Sequence, residues 1–423
     1  MCAMPSLDAV EKHLSVISDI TVASFKGLQL RSAFQPVFGL AHGRAVGYEG
    51  LLRAADPHGT AVSPLTVFKM AHTAEEVVLL DTLCRTIHAR NFASQSKDHW
   101  LFLNVSPMVF ADQFQELQGF FTSLVSRCGL PPNRIVVEVL EAALHKDIVR
   151  PMAFYRDQGC LVAVDDFGAG HSNLERVWRL KPDIVKLDRS LLRHITADRT
   201  SRMFLKRMVS TMHEAGSLVL MEGVETESEA VIAMDSDVDL TQGFHFARPV
   251  PTLDIPPETN GKLELLYQQF HRIALLESKD FRAEVTPYSR AIEMAGGMMK
   301  SGTPFHTAVE AFLALPYAER CYLLDRSGRQ IGNSLLSRAS ESHVDPRFDP
   351  VTRAERSYWG HRHYFRRAVA RPGQVHLTRP YLSLPTAQQC VTCSLSVAMG
   401  NVVYVLCGDV TWSEQFSTDV TLP

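Results

Sequence analysis

Leu161-Val-Ala-Val-Asp165-Asp166-Phe-Gly-Ala-Gly170 is a short apolar run that ends in two adjacent carboxylates and a Gly-x-Gly loop. It reads as a buried strand that delivers acid groups to a pocket. Two carboxylates about 4 Å apart repel by roughly 4 kcal/mol at an intermediate effective dielectric, so a cation belongs beside them.

The same grammar recurs on both sides. Strand candidates lie at residues 45–52, 100–105, 134–140, 161–166, 183–187, 217–221 and 240–246, with amphipathic stretches at 64–92, 111–128, 147–158, 200–215 and 225–233. Alternating strands and helices predict a parallel sheet, and about eight strands over roughly 220 residues predict an α/β fold of the TIM-like (β/α)8 barrel type. Ser63 before Pro64 marks a helix start, and Gly129 and Gly216 mark helix ends.

At 423 residues the chain exceeds one core, so two domains are expected. The expected division is an N-terminal helical segment at 1–29, the barrel at 30–255, a helical connector at 256–315 and a smaller α+β domain at 316–423. A Pro- and Gly-containing stretch at 255–261 marks the end of the barrel domain. A net charge of −3 offers no field for duplex nucleic acid. No signal-peptide pattern or run of 18 apolar residues occurs, which predicts a cytoplasmic protein without a membrane span. Eight scattered cysteines form no disulfide framework. Cys390 and Cys393 have the spacing of half a zinc site, but on an alternating strand residues three apart face opposite ways.

Glu49, Asn104, Glu138, Asp165, Asp166, Lys186, Glu222 and Gln242 fall at or near the C-terminal ends of the proposed strands, where barrel active sites lie. Each alone has a structural explanation, such as a cap or a surface ion pair. Five carboxylates converging with one lysine leave a negative cluster that metal ions would resolve. All-oxygen ligands suit magnesium or manganese and disfavour zinc. Two such ions bridged by one carboxylate are a device for phosphodiester displacement, although a metal-dependent lyase or aldolase remains open at this step.

The motifs Tyr48-Glu49-Gly50-Leu51-Leu52-Arg53, Leu103-Asn104-Val-Ser106, Glu138-Val-Leu-Glu141, Asp165-Asp166-Phe-Gly-Ala-Gly170, Lys186-Leu-Asp188, Glu222-Gly-Val-Glu225 and Gln242-Gly-Phe together resemble the EAL-domain family over about residues 30–250. The resemblance implies hydrolysis of cyclic di-GMP to linear pGpG by an enzyme with two divalent cations. It implies Glu49, Asn104, Glu138 and Asp165 as ligands of one metal, and Asp165 as the bridge to a second held by Asp166 and Glu222. Lys186 would orient or activate the attacking water, with Gln242 lining the site. Glu141 would anchor the loop after Asp165-Asp166, and Gln35 and Arg53 would touch substrate.

Three positions depart from the family pattern. Gly50 stands where alanine or valine is usual, His171 where tyrosine is common, and Asn173 in place of a serine. None removes a ligand. His171 and Asn173 fall in the loop that the resemblance ties to dimerisation and regulation. No Gly-Gly-(Asp/Glu)-Glu-Phe cyclase turn occurs. The alternative is a non-catalytic cyclic di-GMP receptor acting through partner proteins; such receptors usually lack a metal ligand, whereas all eight positions are filled here.

The C-terminal part, with Tyr358-Trp-Gly-His-Arg362-His-Tyr364, Arg379-Pro-Tyr381 and Gly408-Asp409, resembles a PAS/Cache-like sensor domain. The resemblance implies a small-molecule pocket lined by Trp359, Arg362, Tyr364, Tyr381 and Asp409. Packing of these aromatics into the sheet, or a purely dimerising domain, is the competing expectation. A homodimer is expected.

Overall fold

The computed structural model describes residues 4–96, 98–106, 114–141, 148–170, 174–195, 199–338, 357–382, 389–400 and 402–412. His171 and Asn173 lie outside these residues. The chain divides into two compact units, Met1–His271 and Arg272–Pro423.

In the first unit the strands in chain order are β1 (Leu14–Ile17), β2 (Ile20–Phe25), β3 (Leu28–Gly39), β4 (Arg44–Ala55), β5 (Ala61–Val62), β6 (Trp100–Asn104), β7 (Ile135–Leu140), β8 (Leu161–Phe167), β9 (Ile184–Leu187), β10 (Leu218–Met221) and β11 (Leu240–Thr241). Eight of them, β3, β4 and β6 to β11, close into a barrel, because β3 pairs with both β4 and β11. Closure leaves the eight without a free edge.

One barrel strand is not parallel. β3 runs antiparallel to both β4 and β11. The link from Gly39 to Arg44 forms a tight turn, with the Gly43 amide donating to the Gly39 carbonyl at 2.9 Å. Such a link is too short for a parallel crossover, which needs a dozen residues or more.

The expectation of a helical segment at 1–29 is corrected. Among the described residues there it holds one short helix, Leu7–Glu11, and then the meander β1–β2–β3. Ser18 and Asp19, with φ of 49° and 64°, and Lys26 and Gly27, at 46° and 80°, occupy the centres of its two-residue turns. Two successive left-handed residues match the twist of a hairpin and not of a helix.

Seven of the eight barrel strands, all but β4, contribute one residue each to an inner apolar layer: Val37, Phe102, Val136, Ala163, Ile184, Leu220 and Leu240, with Val46 of β4 packed beside them. Gly47 keeps the layer open to Phe102, whose ring lies 2.7 Å from where a Cβ at 47 would stand. The other strand face packs on helices. The stretch expected as one helix at 64–92 is two, Pro64–Met70 and Ala74–Ala93, because the Thr73 hydroxyl accepts the Glu76 amide and starts the second. Ser63 caps the first as its sequence indicates.

The long helix Glu258–Lys300 begins in the first unit, where Leu263 and Leu266 are buried and the Tyr267 hydroxyl donates to the Leu40 carbonyl at 2.6 Å. The connector expected at 256–315 is therefore not a body of its own.

The second unit is α+β, as expected. Its strands are β12 (Ala318–Leu324), β13 (Gln330–Leu336), β14 (His376–Leu377), β15 (Tyr381–Leu382), β16 (Gln389–Met399) and β17 (Val402–Thr411). All pair antiparallel in the order β13-β12-β17-β16-β14, with β15 on β16. One face buries Ile292, Phe312, Cys321, Cys393 and Leu406, and the other buries Tyr322, Tyr364, Phe365 and Cys407. Cys390 and Cys393 are buried free thiols. Among the described residues no helix is long and apolar enough to cross a membrane.

Candidate metal centre

Directly above the apolar layer comes a polar one. In a strand, residues two apart share a face and are about 6.7 Å apart along the axis. Two positions beyond Phe102, Val136, Ala163, Ile184, Leu220 and Leu240 stand Asn104, Glu138, Asp165, Lys186, Glu222 and Gln242. Glu49 follows Gly47 by the same step, and on the reversed strand β3 the equivalent position is Gln35, two before Val37. Eight strands thus deliver one polar side chain each to one level.

The Lys186 ammonium sits at the centre. Its Nζ lies 2.6 Å from Glu138, 2.7 Å from Glu222, 3.0 Å from Asp165 and 3.8 Å from Glu49. Burial alone would make it shed its proton, but the four carboxylates outweigh burial and hold its pKa well above the ordinary lysine value. One ammonium cannot neutralise Glu49, Glu138, Asp165, Asp166 and Glu222 together. Burial, with repulsion from Asp165 and Glu49, accordingly holds the Glu138 and Glu222 carboxyls well above the ordinary range. Asp166 is also raised, by burial and then by Asp165 and Asp188.

The amides orient the acids. Asn104 Nδ2 donates to Glu49 Oε1 at 3.0 Å, and Gln242 Nε2 donates to Glu49 Oε2 at 2.8 Å and to Gln35 Oε1 at 3.1 Å. Gln35 in turn donates to the Ala247 carbonyl. Gln242 is followed by a glycine for a packing reason, since a Cβ at Gly243 would lie 2.0 Å from the Val224 carbonyl oxygen. Asp166 adopts φ of 57°, a left-handed conformation uncommon outside glycine, and its amide donates to Asp165 Oδ1. The buried Glu141 accepts the Gly168 amide at 3.4 Å.

Oxygen atoms of Glu49, Glu138 and Asp165 lie within 4.8 Å of one another, as do those of Asp165, Asp166 and Glu222. Asp165 belongs to both groups. Glu138 Oε2, fully buried, has no hydrogen-bond partner among the described residues. A desolvated carboxylate oxygen without a donor, in a hard all-oxygen set, fits a divalent cation. The cleft above measures about 320 Å³ and is lined by Gln35, Glu49, Asp165, Asp166, Glu222 and Gln242 together with Asp188, Arg189, Glu225 and Phe244. That volume reaches the range of small-ligand sites.

Arg53 is exposed and donates to the Leu52 carbonyl, two pleats beyond Glu49 and off the cleft lining. Asp188 and Arg189 are cleft residues that the strand-end rule passes over, because they begin a helix after β9.

In the second unit Asp409 is fully buried. Its carboxylate accepts from Arg320 Nε at 2.7 Å and Thr392 Oγ1 at 2.7 Å, and Thr392 also bonds the Tyr381 hydroxyl. Tyr364 receives the Tyr322 hydroxyl bond at 3.1 Å. The Arg362 guanidinium stands 6.0 Å from the Trp359 ring and 5.7 Å from the Tyr381 ring. The five residues expected to line a pocket, Trp359, Arg362, Tyr364, Tyr381 and Asp409, are therefore brought together, Tyr364 through the Tyr322 hydroxyl, which also reaches Asp409 at 3.5 Å.

The EAL domain profile matches residues 19–249. The Pseudomonas aeruginosa protein named cyclic di-GMP phosphodiesterase RocR is 27% identical over 246 residues, which covers 56% of this chain and 62% of that one. The Escherichia coli oxygen sensor protein DosP is 25% identical over 273 residues, 62% of this chain and 33% of that one. The chain spans less than two thirds of the length of these curated relatives. Among solved structures, the Bacillus subtilis YkuI protein, which has an EAL domain and was solved with cyclic di-GMP and calcium, aligns with a TM-score of 0.76 at 20% identity, covering 91% of this chain and 96% of that one. At that identity the likeness establishes the fold.

Proposed function

The chain belongs to the EAL domain family, and from that membership we propose that it is a divalent-metal-dependent phosphodiesterase that hydrolyses cyclic di-GMP to linear pGpG. The observation that carries this reading is the position of Asp165 in both oxygen groups of the barrel mouth. Glu49, Asn104, Glu138 and Asp165 would hold one cation, magnesium or manganese, and Asp165, Asp166 and Glu222 the other. Such ions polarise a phosphoryl oxygen and lower the pKa of water.

The chain's own groups do the rest. Lys186, locked between Glu138 and Glu222, presents a fixed positive charge to the attacking water. Gln242 holds Glu49 in its ligand orientation, and Glu141 steadies the turn after Asp166 through Gly168. Gln35, on the cleft wall, would contact substrate, whereas Arg53 stands outside that wall. The water oxygen bonds to phosphorus as the P–O3′ bond breaks, and the 3′-oxygen leaves with a proton.

The C-terminal unit reads as the regulator, with Arg362 between Trp359 and Tyr381 as its candidate ligand contact and Tyr364 behind them. Asp409, with Arg320 and Thr392 on its oxygens, reads as the internal anchor of that cluster. Mass spectrometry of co-purified small molecules tests the ligand, and light scattering tests a homodimer.

The decisive experiment incubates the protein with cyclic di-GMP and magnesium or manganese and follows pGpG by chromatography. Tight binding without product in either metal would favour the non-catalytic receptor instead.

A further inference from the structure

Gly50 sits beside the first acid of the site and presents no side chain on the outward face of β4. The structure shows what fills the space. A Cβ at residue 50 would stand 2.9 Å from His88 Cγ, 3.0 Å from its Cβ and 3.1 Å from its Cδ2. Real Cβ contacts below 3.0 Å are essentially absent, so the imidazole occupies the volume that a side chain at 50 would take.

His88 is itself held. It lies in the helix Ala74–Ala93 and is buried, and its Nδ1 lies 2.9 Å from Ser32 Oγ on β3. Ser32 Oγ also accepts from Asn91 Nδ2 at 3.1 Å. Asn91 closes the chain on β2, accepting the Thr21 amide and donating to the Thr21 carbonyl, both at 2.8 Å. The Phe34 ring meets the imidazole edge-on at 6.4 Å, and Phe34 is the β3 partner of Gly50. Burial, helped by the nearby Arg53 charge, pushes the imidazole pKa down to about 3, so the ring packs as a neutral group.

A buried polar chain therefore runs from β2 through β3 to the outward face of β4. On the inward face of the same strand, one residue away, Glu49 takes the two amide bonds that set its carboxylate. Strand backbone couples the two faces: a shift at Gly50 moves the Glu49 Cα with it.

We propose that His88 is a positioning residue for Glu49, acting through Gly50 as one member of a coupled glycine–histidine pair. The inference rests on the reading of the barrel mouth as a divalent-cation site. It also accounts for the glycine, because an alanine at 50 and a histidine at 88 compete for the same volume.

The test is a double-mutant cycle on the full chain, with manganese alone as probe. Calorimetric Kd for Mn²⁺, thermal midpoint, and kcat and KM for cyclic di-GMP are measured for wild type, Gly50→Ala, His88→Ala and the double variant. Each single change is expected to weaken Mn²⁺ binding about tenfold, the lower end of the usual effect of an outer-shell partner. The double variant is expected to return to within about threefold of wild type, because the alanine methyl enters the vacated space. Losses that multiply in the double variant overturn the pair, as does a wild-type Kd in His88→Ala accompanied by a lower midpoint. If His88→Ala does not fold, His88→Asn, which keeps a group able to bond Ser32 but not the ring over Gly50, carries the test, and an unchanged Kd overturns the proposal. Failure of the wild-type protein to bind Mn²⁺ sinks the metal reading itself, whereas tight wild-type binding with multiplying losses sinks only the pair.

Discussion

The Lys186 ammonium lies 2.6 Å from Glu138 Oε1, where neither side chain exposes more than 1% of its surface. Such a pair is costly to break from one side, since the partner is left charged and dry. Here it also serves as a fixed cation among acids that outnumber it.

Replacing Lys186 by Ala should cost the protein stability of about 3–5 kcal/mol, the usual penalty for orphaning a buried charge. Turnover of cyclic di-GMP with saturating metal should fall by about 10²-fold or more, in keeping with loss of a group that positions or activates water. Denaturant titration and pGpG chromatography measure the two effects. A variant with wild-type turnover would remove Lys186 from the site.

Glu138 and Glu222 keep their protons to higher pH in the folded state than in the unfolded chain. Between the ordinary carboxylate range and those raised values the metal-free folded protein binds more protons than the unfolded one, so its stability falls as pH rises. A cation must displace those protons, so metal affinity should rise with pH over the same window. The Mn²⁺-induced rise in thermal midpoint is therefore expected to be larger near neutrality than in mild acid. An effect that is flat or reversed with pH would contradict the assigned ligands.

Asp165 and Asp166 are neighbours with unequal expected roles. Asp166→Asn should leave one Mn²⁺ bound per chain, whereas Asp165→Asn should weaken both, because only Asp165 is common to the two oxygen groups. Native mass spectrometry or manganese EPR counts the ions. Equal stoichiometry in the two variants would argue against a shared ligand.

In the second unit, Asp409→Ala leaves Arg320 without its partner, and the Arg320 side chain is only 13% exposed. The expected loss is about 3–5 kcal/mol, read from the unfolding of this unit by denaturant. Hydrogen exchange on β12, β16 and β17 should rise in parallel. A change below about 1 kcal/mol, the scale of an exposed pair, would mean that the site relaxes into water.

Much of the barrel and its mouth is legible in the chain. Asn104, Glu138, Asp165, Lys186 and Glu222 each sit at the end of an apolar run, and a strand's period of two is a local property that needs no partner to be read. Gln35 is harder to place by that rule. It lies in the interior of a strand that runs against its neighbours, so its level in the barrel follows from the register Gln35 opposite Glu49. The N-terminal segment misleads as helix because its hairpins turn on Ser18-Asp19 and Lys26-Gly27, weak signals beside the usual Asn-Gly.

What the sequence by itself determined is the alternation of elements, the family and the set of acids at one end of the strands, because these depend on spacing along a single strand. The tertiary structure alone decided which charges meet and which volumes compete. Lys186 is a lone lysine until barrel closure sets it against Glu138, Asp165 and Glu222, and Gly50 is an unexplained small residue until His88 folds over it. Coulomb energy and packing act through distance in space, and separation along the chain does not report it.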